Sequence, residues 1–121
     1  MIRIVLADDH AVMRRGLRLV LEEQSDFTVA GEGNDGAEAC ALVEQLAPDV
    51  VILDITMPRL NGIEAAQQIT SKHPRTAVLI LSMHTDEAFV LRALKAGAKG
   101  YVLKESRDGD LIHAVRLAAQ G

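Results

Sequence analysis

The chain contains a single cysteine, Cys40, which excludes an internal disulfide and a zinc site built from several thiolates. Cys40 falls in a helical pattern among Ala39, Leu42 and Val43, where it reads as a small buried hydrophobe. No basic run is present, and 13 Lys+Arg against 17 Asp+Glu give a net charge of −4. Direct nucleic-acid binding by such a domain is therefore not expected. No apolar stretch approaches membrane-spanning length, and the N-terminus enters Ile2-Arg3-Ile4-Val5-Leu6 without a basic leader or cleavage site, so the expectation is a cytoplasmic protein without a membrane partner. Internal repeats, linkers and low-complexity segments are also lacking. What remains is 121 residues, 49% hydrophobic and 25% charged, an ordinary composition for one globular domain with a real core.

The most informative stretch is Asp49-Val50-Val51-Ile52-Leu53-Asp54-Ile55-Thr56-Met57-Pro58. A short, unbroken, β-branched-rich run bounded by turn formers predicts a strand buried on both faces, the pattern of a parallel sheet, with Asp54 at its C-terminal end. Around it, Ile2 to Ala7, Phe27 to Ala30, Ala77 to Leu81 and Gly100 to Leu103 read as further strands. Helical spacing follows each one. The inner faces expected are Met13, Leu17, Val20 and Leu21, with Arg14, Arg15, Arg18, Glu22 and Glu23 opposite; Ala39, Leu42, Val43 and Leu46; Ile63, Ala66 and Ile69; Val90, Leu91 and Leu94; and Leu111, Val115 and Ala118. Asp35 with Glu38 resembles a capping box, and Gly97 is placed to be a left-handed C-terminal cap. Strands alternating with helices predict an α/β fold: a doubly wound, five-stranded parallel sheet with right-handed crossovers.

Aligned at the strand exits, the polar residues share one edge: Asp8 and Asp9 after the first strand, Asp54 after the third, Ser82 after the fourth and Lys104 after the fifth. With the first and third strands flanking the topological switch point, strand order 2-1-3-4-5, the three carboxylates face one another across a crevice. Two carboxylates about 5 Å apart repel by roughly 3 kcal/mol at an effective dielectric near 20, so three pairs approach roughly 10 kcal/mol. One lysine does not cancel that, whereas a hard divalent cation does. Oxygen ligands without cysteine or a close histidine pair suit Mg2+. A carboxylate beside a cation and a lysine is a candidate nucleophile toward a phosphoryl group, and Asp54, alone on the central strand, is best placed. Taken singly, Asp54 could close a turn before Pro58, Asp9 could cap the first helix, Ser82 could be a strand-end hydroxyl and Lys104 a surface charge. Their coincidence at one edge argues against reading them singly.

At these residues the chain resembles the receiver domain of two-component response regulators. The resemblance is carried by Asp8-Asp9, by Leu53-Asp54-Ile55-Thr56-Met57-Pro58 with Asn61-Gly62, by Ser82, and by Ala96-Gly97-Ala98-Lys99-Gly100-Tyr101-Val102-Leu103-Lys104. The approach to Tyr101 and the Ser82-Met83-His84 stretch look most like the NarL/FixJ-type branch. The resemblance implies a flavodoxin-like (βα)5 fold. It implies Mg2+ held by Asp9, Asp54 and the backbone carbonyl of Thr56, with Asp8 acting partly through water. It further implies phosphotransfer to Asp54 from the phosphohistidine of a sensor histidine kinase, with Lys104 and Ser82 binding the phosphoryl oxygens, Tyr101 changing rotamer in response, and two copies pairing on phosphorylation. Thr56 and His84 would flank the route of hydrolytic water. Members of that branch carry a C-terminal helix-turn-helix DNA-binding domain, so residues 1–121 are expected to be one receiver domain of a longer regulator; a free-standing phosphorelay receiver is the alternative. Glu105 stands where many relatives have proline after the lysine, which leaves the geometry of that peptide bond open.

Two other classes fit less well. A haloacid-dehalogenase-like phosphatase needs a second acid two residues after its nucleophile, and that position is Thr56. A flavodoxin-like cofactor binder needs a phosphate loop after the first strand, where Asp8-Asp9-His10-Ala11 would repel a phosphate. A switching receiver rather than a turnover enzyme is thus the expected function.

Overall fold

The computed structural model describes residues 1–55, 57, 60–83 and 87–120. Five strands, β1 (Ile2–Ala7), β2 (Phe27–Gly33), β3 (Val50–Asp54), β4 (Ala77–Ser82) and β5 (Gly100–Leu103), alternate with five helices, α1 (Ala11–Glu22), α2 (Gly36–Leu46), α3 (Gly62–Lys72), α4 (Glu87–Lys95) and α5 (Asp108–Gln120). All strand pairings are parallel and the order is β2-β1-β3-β4-β5, as the sequence predicts. β2 runs three residues beyond its expected end because Gly31, Glu32 and Gly33 pair with Val5, Leu6 and Ala7.

Strand alternation divides the core in two. Val5, Ala7, Val51, Leu53, Val78 and Ile80 point to one face and pack with Ala39, Val43, Ala65, Ala66, Ile69 and Ala93 of α2, α3 and α4. Ile4, Leu6, Val50, Ile52, Leu79 and Leu81 point to the other, against Leu21 of α1 and Leu111, Val115 and Ala118 of α5. Helices on both faces are what allow every residue of β3 to be buried. Each large aliphatic side chain so buried contributes about 1.5–3 kcal/mol.

The helix faces correct the sequence reading in two places. In α4 the inward residues are Ala93 and, partly, Phe89, while Leu91 and Leu94 are exposed, so the helix meets the core through a small side chain rather than through its leucines. In α1, Met13 is exposed, whereas Arg14, expected on the outer side, turns in over the end of β2. Cys40 is half-buried, and its burial pushes the thiol pKa up, against a smaller opposing effect of Lys72.

Local signals explain the boundaries. Asp35 caps α2 by accepting from the Glu38 N–H at 2.8 Å, but the Glu38 carboxylate accepts from the Asn34 N–H instead of closing the box on Asp35. A complete capping box forms at α3 between Asn61 and Glu64. Gly97, at φ 99°, ends α4 as expected: Ala98 N–H donates to the Ala93 carbonyl and Gly97 N–H to that of Leu94, the bond pattern of a left-handed terminus. The Thr70 hydroxyl donates to the Ala96 carbonyl at 2.8 Å and ties the end of α3 to this turn.

Candidate functional site

The strand order reverses between β1 and β3, so a crevice opens where these strands end. Register does the placing: Ala7 pairs with Leu53 and Asp54 with Leu81, which sets Asp8, Asp9 and Asp54 side by side. Ser82 pairs with Leu103, and the Lys104 N–H donates to the Ser82 carbonyl at 2.7 Å, so the lysine leaves the sheet beside them. Asp8 is fully buried, Asp54 is 3% exposed, and Asp9 reaches the rim with its side chain 31% exposed. Lys104 is no surface charge: its side chain is 6% exposed, and its Nζ lies 3.1 Å from Asp54 Oδ2 and 3.2 Å from Asp8 Oδ2. Burial opposes the ammonium, yet hydrogen bonds and charge from Asp54 and Asp8 outweigh it and hold the Lys104 pKa above its ordinary value.

Asp9 does not cap α1. That position falls to His10, whose ring makes no capping bond. The His10 N–H donates to Asp8 Oδ1 at 2.9 Å, and its Nδ1 approaches Asp8 Oδ1 at 3.3 Å and Asp9 Oδ1 at 3.2 Å. One donor atom each from Asp8, Asp9, His10 and Asp54 lies within 4.8 Å of the others. Three carboxylates and one lysine leave an excess of negative charge, and the donor set fits a hard dication through its oxygens. It is not oxygen-only, however, since His10 belongs to it.

The backbone under the site is tightly built. A Cβ on Gly62 would stand 2.3 Å from the Asp54 carbonyl oxygen, so only glycine lets the start of α3 pass so close to the end of β3. On the other side, Arg14 Nη1 donates to the Asp8 carbonyl at 2.7 Å and to Asn34 Oδ1 at 2.7 Å, while its Nε donates to Glu32 Oε1 at 3.0 Å. Arg18 reaches the other Glu32 oxygen. Burial would raise the Glu32 carboxyl, but Arg18 and Arg14 hold it below the usual range.

The crevice thus brings together Asp8, Asp9, Asp54 and Lys104 as the sequence reading expected, with Ser82 fully buried at the neighbouring strand end and Tyr101 half-buried among the side chains that include Phe89. Thr56 and His84, assigned a metal-ligand carbonyl and the water route, lie outside the described residues. Glu105 follows Lys104 through a trans bond, as no cis peptide occurs among the described residues. His10 and Arg14 were missed as parts of the site. Only their proximity to Asp8 in sequence hinted at it.

Residues 4–116 match the response regulator receiver domain family. The chain is 45% identical over 120 residues to the transcriptional regulatory protein DegU of Brevibacillus brevis, covering 99% of this chain and 51% of that protein. It is 47% identical over 120 residues to the oxygen regulatory protein NreC of Staphylococcus epidermidis, covering 98% and 55%. The chain therefore spans about half the length of these curated relatives. Among solved structures, the signal receiver domain of the response regulator NarL from Mycobacterium tuberculosis superposes with a TM-score of 0.96 at 38% identity, covering 99% of this chain and 97% of that one. The response regulator domain of CheB from Thermotoga maritima gives 0.91 at 35%, covering 100% and 98%. The NarL-type branch expected from the sequence agrees with the likeness to the NarL receiver domain. With the acidic crevice at the β1/β3 switch point and a match that runs nearly end to end, the chain belongs to the response regulator receiver domain family.

Proposed function

We propose that Asp54 accepts a phosphoryl group and that the resulting charge switches the conformation of the domain. The observation that carries this reading is the buried Lys104 ammonium shared by Asp54 at 3.1 Å and Asp8 at 3.2 Å, beside a rim carboxylate, Asp9. Such an arrangement sets a cation beside a candidate nucleophilic carboxylate, where it can meet the incoming phosphoryl oxygens. Asp9, Asp54 and the Thr56 carbonyl would hold Mg2+, with Asp8 acting partly through water. Bound there, Mg2+ supplies charge neutralisation for the transferring phosphoryl group. An Asp54 carboxylate oxygen forms the new O–P bond as the P–N bond to a phosphohistidine donor breaks; the donor imidazole keeps the electron pair. Lys104 then moves from carboxylate to phosphoryl oxygen, Ser82 bonds a second oxygen, and Tyr101 follows into the space that Ser82 vacates.

The donor fitting this chemistry is a sensor histidine kinase, in the cytoplasm. The greater length of the DegU and NreC relatives supports an output segment beyond the receiver, and a helix-turn-helix DNA-binding domain is the form proposed. Phosphorylated copies pairing with each other is the accompanying expectation. The domain passes on a signal rather than turning over a substrate, and Thr56 and His84 set how fast water ends it.

Acetyl phosphate with Mg2+ tests the reading. One phosphate mass should appear on the wild type and none on Asp54→Asn, or on either protein with EDTA, and the Ser82 and Tyr101 NMR resonances should shift together. Phosphate on Asp54→Asn overturns the acceptor assignment, and phosphorylation without those shifts overturns the switch.

A further inference from the structure

We infer that His10 Nδ1 is a metal-ligand atom, which makes the acidic crevice a mixed nitrogen and oxygen site for first-row transition-metal dications such as Ni2+ and Zn2+. The inference rests on the reading that the crevice holds a divalent cation, and goes beyond it in assigning the ring and the metal class. Three observations support it. The His10 ring is 69% exposed and takes no part in capping α1, yet its Nδ1 lies 3.3 Å from Asp8 Oδ1 and 3.2 Å from Asp9 Oδ1. The backbone bond from the His10 N–H to Asp8 Oδ1 at 2.9 Å fixes the ring's point of attachment at the crevice mouth. A donor atom from Asp54 completes a group of four lying within 4.8 Å of one another, near enough for small side-chain adjustments to bring them onto one cation.

The chemistry follows from the donors. Between Nδ1 and the carboxylates there is room for either a proton or a dication. When the dication binds, Nδ1 gives its lone pair to the metal and the ring proton resides on the other nitrogen. Imidazole nitrogen suits nickel, copper and zinc, whereas magnesium prefers oxygen and keeps its waters. His10 should therefore govern transition-metal affinity and leave magnesium affinity to the acids.

Calorimetric titration of the wild type and His10→Ala with NiCl2 and with MgCl2 tests this, in a Cys40→Ser/His73→Ala background that removes two further metal-binding side chains lining one separate pocket, with His113 left unchanged in both proteins. The substitution retains the backbone bond to Asp8. The expected result is Ni2+ affinity lower by about tenfold or more in His10→Ala, with Mg2+ affinity within about twofold, and a Zn2+-induced shift of the His10 ring nitrogen in 15N NMR. No Ni2+ binding by the wild type, unchanged Ni2+ affinity, or an equal loss for both metals overturns the assignment. Failure of the underlying cation site has a different signature: Mg2+ binding absent from the wild type, or unaffected by Asp9→Asn.

Discussion

Replacing Lys104 by methionine keeps the length of the side chain and removes the one ammonium shared by two buried acids. At 3.1 and 3.2 Å, each attraction amounts to about 5 kcal/mol at an effective dielectric of about 20. Carboxylate atoms within 4.8 Å of each other repel by at least about 3.5 kcal/mol per pair on the same scale. Desolvation of the ammonium offsets part of the attraction, so the measurable loss should be the about 3–5 kcal/mol found when one partner of a buried ion pair is removed. That is a large share of a domain stability of about 5–15 kcal/mol. A dication in the crevice replaces what the lysine supplied. If the wild-type site has a dissociation constant of about 1 mM and the variant binds about tenfold tighter, about 10 mM Mg2+ stabilises them by about 1.4 and about 2.7 kcal/mol respectively. Urea unfolding with and without Mg2+ measures both quantities. Lys104→Met within about 1 kcal/mol of wild type in EDTA, or equal Mg2+ stabilisation of both proteins, refutes the reasoning.

Three further outcomes follow from the scaffold. The Glu32 carboxyl is held below its unfolded pKa by Arg18 and Arg14, so its contribution is complete above the unfolded value and lost as pH falls through the folded one; Glu32→Gln should cost about 1–2 kcal/mol at neutral pH and nothing in strong acid, read by urea midpoints against pH. Ala47 ends α2 at φ 47°, so Ala47→Gly should raise stability by up to about 1 kcal/mol in thermal unfolding despite glycine's greater freedom in the unfolded chain. Asn61→Ala opens the α3 capping box and should cost about 1 kcal/mol, with faster amide exchange in the first turn.

The sheet was legible because its strands carry continuous apolar runs that only a doubly covered parallel sheet can bury, and β3 is the clearest case. The site was legible for a related reason: parallel strands deliver the residues that follow them to one edge, so Asp8, Asp54 and Lys104 could be placed together without coordinates. Less legible was anything decided by close approach between elements. α4 presents Ala93 to the core and leaves Leu91 and Leu94 exposed, whereas periodicity favours the larger residues. Arg14 reads as a solvated charge until β2 is seen to run on to Gly33 and bring Glu32 and Asn34 to it. His10 follows two aspartates that overshadow it, and only the turn closed by its own N–H brings the ring back to them.

The central claim is that the phosphoryl group comes to rest on the Asp54 carboxylate. Borohydride reduces an aspartyl phosphate to homoserine, so phosphorylation by acetyl phosphate in Mg2+, borohydride reduction and peptide mass spectrometry locate it directly. The account predicts homoserine at position 54 and aspartate unchanged at positions 8 and 9. Homoserine at Asp8 or Asp9, or a phosphate on Ser82 or His10 that survives reduction, contradicts it.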